Sequence, residues 1–121
     1  MPITFYGYPQ CGTCRKAKQW LDARGIAYEA VNLVTDPPDK ETLRALIEKS
    51  GLPVRKFFNT SGQRYRELGL KEKLPSMTDE EMLELLASDG KLIKRPIVTD
   101  GERVTVGFDE ATFARVWGTG A

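Results

Sequence analysis

The two cysteines of this chain stand three residues apart, in the stretch Tyr8-Pro9-Gln10-Cys11-Gly12-Thr13-Cys14-Arg15-Lys16. A short apolar run over residues 3–7 precedes them and reads as a strand. A helical pattern over 15–23 follows. The Cys-Gly-Thr-Cys unit therefore falls at a strand-to-helix turn, with Cys11 at the helix N-terminus. The first N–H groups of a helix lack intrahelical partners, and the dipole there is positive. Both favour a thiolate, and Arg15 and Lys16 add positive charge. Cysteines in such settings commonly titrate at about 3.5–7.5 instead of about 8.5. The gain as an attacking group is modest, because nucleophilicity falls with pKa; the gain as a leaving group is larger. Cys11 is thus the expected nucleophile, and Cys14 the thiol that displaces what Cys11 has captured.

The composition narrows the remaining chemistry. The chain has no histidine, which excludes a Cys–His pair, a Ser–His–Asp triad and any His-ligated metal. A structural zinc site takes four Cys or His ligands, so two cysteines reach one only by pairing chains, and no metal is expected. A length of 121 residues suggests one domain over 1–121. With 40% apolar residues it can build a core without disulfide staples. Eighteen basic and 17 acidic residues give a net charge of +1, so nothing argues for direct nucleic-acid binding or an anionic membrane. No apolar run approaches 18 residues and no signal-peptide pattern opens the chain. A cytoplasmic location is expected, where a lone Cys-x-x-Cys is more often redox-active than structural. The bland alternative is a pair of core cysteines that happen to lie close.

Taken in order, the first strand, the cysteine turn and a helix ending at Gly25 lead into a second strand over 26–33. That strand–helix–strand unit makes the two strands parallel. Ala17, Trp20, Leu21 and Arg24 recur at helical spacing. Turn chemistry at 35–39 opens a helix over 39–50 with Leu43, Leu46 and Ile47 as its apolar stripe and Gly51 as its stop. A short helical piece runs from Leu52-Pro53 through Phe57-Phe58, followed by a polar loop over 59–63 and a short helix or turn over 65–70. Thr78 and Glu81 match a capping box, opening a helix that ends near Asp89-Gly90. Residues 95–99 form a strand that begins at a proline, Asp100-Gly101-Glu102 a hairpin turn, and 103–107 the return strand. Asp109 caps a last helix through Val116, and 118–121 read as a frayed tail. Trp20 and Trp117 fit helix core faces. Arg55-Lys56 and Lys71-Glu72-Lys73 read as solvated faces. The order βαβ, helical middle, ββα, with Cys-x-x-Cys after the first strand, is a thioredoxin-like α/β arrangement: a mixed four-stranded sheet with a helical insertion over about 39–90. Pro96 cannot donate to a ladder and must sit at a strand start or edge. A cis Arg95-Pro96 bond would turn the chain toward Cys11.

Three segments carry a family resemblance. Tyr-Pro-x-Cys-x-x-Cys-Arg-Lys-Ala at 8–17, Leu-Ile-Lys-Arg-Pro-Ile-Val at 92–98 and Val-Gly-Phe at 106–108 resemble the glutaredoxin-linked arsenate reductase-like family, which includes the Spx and MgsR redox regulators. The resemblance spans about residues 2–117. It implies a nucleophilic cysteine at Cys11 and an oxyanion-binding arginine at Arg95. Asn59 and Gly107 stand where it implies two further arginines. Each would supply a charge-assisted bond worth about 1.5–3 kcal/mol, so a weakened oxyanion set is expected unless Arg64, Arg66 or Arg103 reaches in. Paired cysteines belong to the Spx-like branch, where the disulfide is a switch.

The leading expectation is a thiol-disulfide oxidoreductase. Cys11 attacks, Cys14 resolves, and Arg95 stabilises the thiolate. Gly12, Thr13, Arg15 and Pro96 line the substrate, with Arg15 able to pair with a thiolate or a glutathione carboxylate. The substrate is a small-molecule or protein disulfide, or an oxyanion. No cofactor is bound; glutathione, glutaredoxin or thioredoxin is the co-substrate. The alternative is a redox-sensing regulator contacting RNA polymerase, and the third reading is a glutaredoxin-dependent arsenate reductase. A monomer is expected.

Overall fold

The computed structural model describes residues 2–118. Thr119, Gly120 and Ala121, most of the expected frayed tail, lie outside them. The fold is α/β and thioredoxin-like. The chain divides into two compact units. One takes in the chain up to Asn32 and again from Arg95 onward; the other is Leu33–Lys94.

The first unit holds the whole sheet. Strand β1 is Thr4–Gly7, helix α1 Gly12–Ala23 and strand β2 Glu29–Asn32. Strands β3, Ile97–Thr99, and β4, Val104–Val106, form the hairpin, and a terminal helix, Glu110–Val116, follows. The sheet order is β2-β1-β3-β4, parallel between β1 and β2 and antiparallel in the other two pairs. Phe5 and Val98 are direct partners across β1 and β3, so their side chains share a face. That face is closed by Ala17, Trp20 and Leu21 of α1 and by Phe113 and Trp117 at the end of the chain. The Trp20 and Phe113 rings meet edge to face at 5.5 Å. Buried Trp117 donates its indole N–H to the Thr105 hydroxyl at 3.1 Å, which satisfies the polar end of a core tryptophan.

Element boundaries differ from the sequence reading where periodicity is weak. Helix α1 begins at Gly12, three residues earlier, because Cys11 itself is its N-cap. Strand β2 is half the expected length, since residues 26–28 do not join the ladder. Arg24 is exposed and lies over the Trp20 ring at 3.8 Å, so its helical spacing reflects stacking on the apolar face from outside.

The second unit is helical. Helices α2 (Lys40–Ser50), α3 (Gln63–Glu67), α4 (Leu70–Lys73) and α5 (Asp79–Ser88) are joined by single-turn 3-10 segments at Val54–Phe57, Leu74–Ser76 and Gly90–Leu92; the terminal helix is α6. Leu43, Leu46 and Ile47 of α2 are buried, as are Met82, Leu83 and Leu86 of α5. These two helices pack together, and Lys40 and Arg44 of one pair with Glu80 and Glu84 of the other. Thr78 and Glu81 make both bonds of the capping box. Gly90 sits against the Leu33 carbonyl, where an added Cβ would lie 1.8 Å from that oxygen. Only glycine permits the approach.

Candidate active site

The site is built within the first unit, where the β1–α1 turn meets the segment entering β3. Cys11 has extended backbone angles (φ −88°, ψ 119°) and caps α1: its sulfur accepts the Cys14 backbone N–H at 3.3 Å. Its own N–H donates to the Tyr8 carbonyl at 3.0 Å, closing the turn. The helix N-terminus thus acts on the thiol through a specific donor as well as through the dipole.

The two thiols differ sharply. Cys11 is half-buried, and Cys14 is 1% exposed in the core beside Phe5 and Ala17. Both are free thiols. Partial burial tends to raise the Cys11 pKa, but hydrogen bonds from the Cys14 side chain and backbone outweigh it, helped by the Arg95 guanidinium as donor and charge; the net direction is down from 9.0. Cys14 is pushed up to about 12, first by burial and then by its bond and repulsion with Cys11. One cysteine is held toward the thiolate and its neighbour toward the thiol.

Arg95 reaches this pair from far along the chain. The Arg95-Pro96 bond is cis and Pro96 is buried, and the Pro96 carbonyl accepts the Gly107 N–H at 2.8 Å. The guanidinium carbon of Arg95 lies 5.3 Å from the centre of the Tyr8 ring. Its Nη1 is buried with no hydrogen-bond partner. Leaving a buried guanidinium nitrogen unpaired costs free energy, and the same guanidinium helps hold Cys11 toward the thiolate. The arrangement can hold a negative group of a ligand next to Cys11.

The other expected residues divide. Gly12, Thr13 and Arg15 are exposed on the first turn of α1. The chief groups lowering the Cys11 pKa are Cys14 and Arg95, so the charge at Arg15 and Lys16 matters less than their nearness in sequence suggests. Arg103 does not join the site: it pairs with Asp100 at 2.8 Å, lies over Trp117 and donates to the Val116 carbonyl. Gly107 has φ +80°, a backbone region that disfavours any side chain, which gives a local reason for glycine where the resemblance implies arginine. In the second unit Arg64 is paired with Asp89 and Glu67. Asn59 there donates its backbone N–H to Leu92. Tyr8 enters the sequence reading only as part of the motif. Its ring beside Arg95 is a long-range contact that no spacing signals. Among the described residues no cluster of His, Cys, Asp or Glu could hold a metal.

The class this structure defines is a thioredoxin-like sheet with a thiol at the N-cap of its first helix and an arginine and a cis proline entering the third strand. The chain belongs to the ArsC family, whose model matches residues 6–116. It is 62% identical over 117 residues to the uncharacterized protein YusI of Bacillus subtilis (strain 168), covering 97% of this chain and 99% of that one. It is 34% identical over 107 residues to the regulatory protein MgsR of the same organism, covering 88% and 83%. A solved ArsC family related protein from Bacteroides fragilis superposes with a TM-score of 0.92 at 50% identity, covering 95% of this chain and 97% of that one.

Proposed function

We propose that this protein is a thiol-disulfide oxidoreductase of the ArsC family, with Cys11 as nucleophile and Cys14 as resolving thiol. The observation that carries this reading is the asymmetry of the pair: a half-buried Cys11 with a lowered pKa beside a buried Cys14 pushed up to about 12. The Cys11 thiolate attacks one sulfur of a substrate disulfide. A Cys11–substrate disulfide forms, the substrate S–S bond breaks, and the other half leaves as a thiolate. Part of what holds Cys14 protonated is its bond and repulsion with Cys11. Capturing substrate neutralises Cys11 and removes that part, so Cys14 ionises more readily at the step where it is needed. Cys14 then gives up its proton, attacks the Cys11 sulfur and releases the second substrate thiolate. The Cys11–Cys14 disulfide has taken up the oxidation, and an external dithiol or glutathione returns the enzyme to its starting state. The lowered pKa of Cys11 keeps it ionised for the first attack. The buried Nη1 of Arg95 suits a carboxylate of a glutathione-like substrate.

A second reading rests on the similarity to the regulatory protein MgsR. The same pair then forms one disulfide as a switch, and the partner is RNA polymerase, as the family resemblance implies.

A single-turnover assay on the reduced protein separates them. Offered a glutathione mixed disulfide, the wild type should release glutathione and finish with the Cys11–Cys14 disulfide. Cys11→Ser should abolish the reaction, and Cys14→Ser should stop at a stable Cys11 adduct visible by mass spectrometry. Formation of the Cys11–Cys14 disulfide with no repeated turnover when excess glutathione is supplied as reductant would favour the regulator. Turnover on arsenate with glutathione and glutaredoxin that survives Cys14→Ser would replace both readings with arsenate reduction.

A further inference from the structure

The basic stretches that read as solvated faces are exposed, but they are not scattered. Arg55, Lys56 and Lys71 line one cleft of about 530 Å³ in the second unit, and Leu74, Met77 and Met82 line it with them. Leu74 and Met82 are buried and Met77 half-buried. No acidic residue lines this cleft. Among the described residues none of the three cationic side chains has an ion pair or hydrogen bond, whereas Lys40, Arg44 and Arg64 of the same unit are all paired. In a chain of net charge +1, three unneutralised cations around one cleft leave the remainder net acidic. That is a local field with an apolar floor beneath it.

We propose that this cleft docks an acidic segment of another protein. Its carboxylates meet Arg55, Lys56 and Lys71, and an apolar side chain enters between Leu74, Met77 and Met82. Charge complementarity selects the sign of the partner and speeds encounter. The floor selects the rest: a polynucleotide backbone would use the cations and leave the apolar surface exposed, while a peptide with leucine or phenylalanine among acidic residues uses both. Methionines suit this role because their unbranched, polarisable side chains adapt to different apolar partners. The volume lies in the range of pockets that take a few side chains, about 300–1,000 Å³. The surface shares no residue with the cysteine site, and the inference goes beyond the thiol chemistry proposed above.

The test uses the full chain and a fluorescein-labelled twelve-residue peptide of alternating glutamate or aspartate with leucine and phenylalanine. Its controls are the same peptide with alanine at every apolar position and a single-stranded DNA of twelve nucleotides. Binding should weaken severalfold between 50 and 300 mM salt. The double variant Lys56→Glu, Lys71→Glu should lose at least tenfold in affinity, and the milder Lys56→Gln, Lys71→Gln should lose less in the same direction. The alanine peptide should bind at least tenfold more weakly than the apolar one. Amide shifts in the 15N-labelled protein should fall on residues 55–82. Absence of binding, equal binding of the alanine peptide or the DNA, or affinity unchanged in both double variants would overturn the proposal. So would a dimer in sedimentation that Lys56→Glu, Lys71→Glu dissolves, since a second copy would then be the occupant.

Discussion

At the scale of single residues, Arg95 is the group whose removal says most. It sits beside Tyr8, keeps a buried nitrogen unpaired and helps hold Cys11 toward the thiolate. Arg95→Gln should raise the midpoint of Cys11 alkylation by iodoacetamide, followed against pH by peptide mass spectrometry, by about one pH unit, the lower end of what an adjacent opposite charge contributes. Arg95→Lys, which keeps the charge but loses the planar fork, should shift it less. An unmoved midpoint in Arg95→Gln would leave Cys14 as the whole cause. The strand-to-helix turn at Cys11 and Cys14 and the strand opening at Pro96 are legible in the sequence as local patterns with local causes, whereas Arg95 is singled out by the family resemblance. What was illegible is pairwise and distant. Nothing in the spacing says that Tyr8 lies beside Arg95, or that Asp100 holds Arg103 away from the thiols. Arg15 is exposed at the helix start, and the groups that lower the Cys11 pKa are Cys14 and Arg95.

At the scale of elements, patterns that carry two independent signals in the sequence match the structure closely. The Thr78–Glu81 box and the apolar stripe behind it place α5 closely, and Asp39 and Asp109 cap α2 and α6 by accepting from Thr42 and Thr112. Segments with one weak signal depart from the structure. Residues 26–28 are apolar enough for a strand but find no ladder partner, and where one short helix or turn is expected over 65–70 there are two helices, Gln63–Glu67 and Leu70–Lys73, with a 3-10 turn after them. The insertion was legible as helical, yet its compact unit, Leu33–Lys94, is wider than the 39–90 read from caps and turns, because a unit's edge is set by packing. Two substitutions in this unit should differ in kind. Thr78→Ala removes one cap and should cost about 1 kcal/mol. Gly90→Ala puts a methyl group 1.8 Å from the Leu33 carbonyl oxygen, where only backbone can yield, and should cost about 3 kcal/mol. Urea titrations of the two variants measure both. A Gly90→Ala protein as stable as Thr78→Ala would mean that the chain at Leu33 moves freely out of the way.

At the scale of the whole molecule, the absence of histidine shapes how stability depends on pH, since the side chain that usually titrates near neutrality is missing. The ends of the profile belong to a few buried groups. Asp100, 9% exposed, pays for its burial with bonds from the Glu102 and Arg103 N–H groups and the Arg103 guanidinium. Burial alone would raise its pKa, but those bonds take it down to about 2 from 3.8. Its contribution is present above pH 3.8 and is lost as pH falls toward 2. The cysteines act in opposite senses. The folded state releases the Cys11 proton before the unfolded chain does, so stability rises with pH from the depressed Cys11 pKa up to 9.0 and levels there. The folded state keeps the Cys14 proton from 9.0 to about 12, while the unfolded chain has lost it. Stability therefore falls over that interval, by about 1.4 kcal/mol per pH unit for one proton, with the raised pKa of Tyr28 adding to the fall above pH 10. Denaturation by urea under reducing conditions, from pH 6 to pH 11, should show a maximum near pH 9. Cys11→Ser should flatten the rising side and also soften the fall, because part of the Cys14 shift comes from Cys11. Cys14→Ala should remove most of the fall between pH 9 and pH 10, before Tyr28 takes part. A profile that falls steadily from pH 7, unchanged in both variants, would mean that the thiols titrate alike in the folded and unfolded chains, and the division of labour between Cys11 and Cys14 would lose its physical basis.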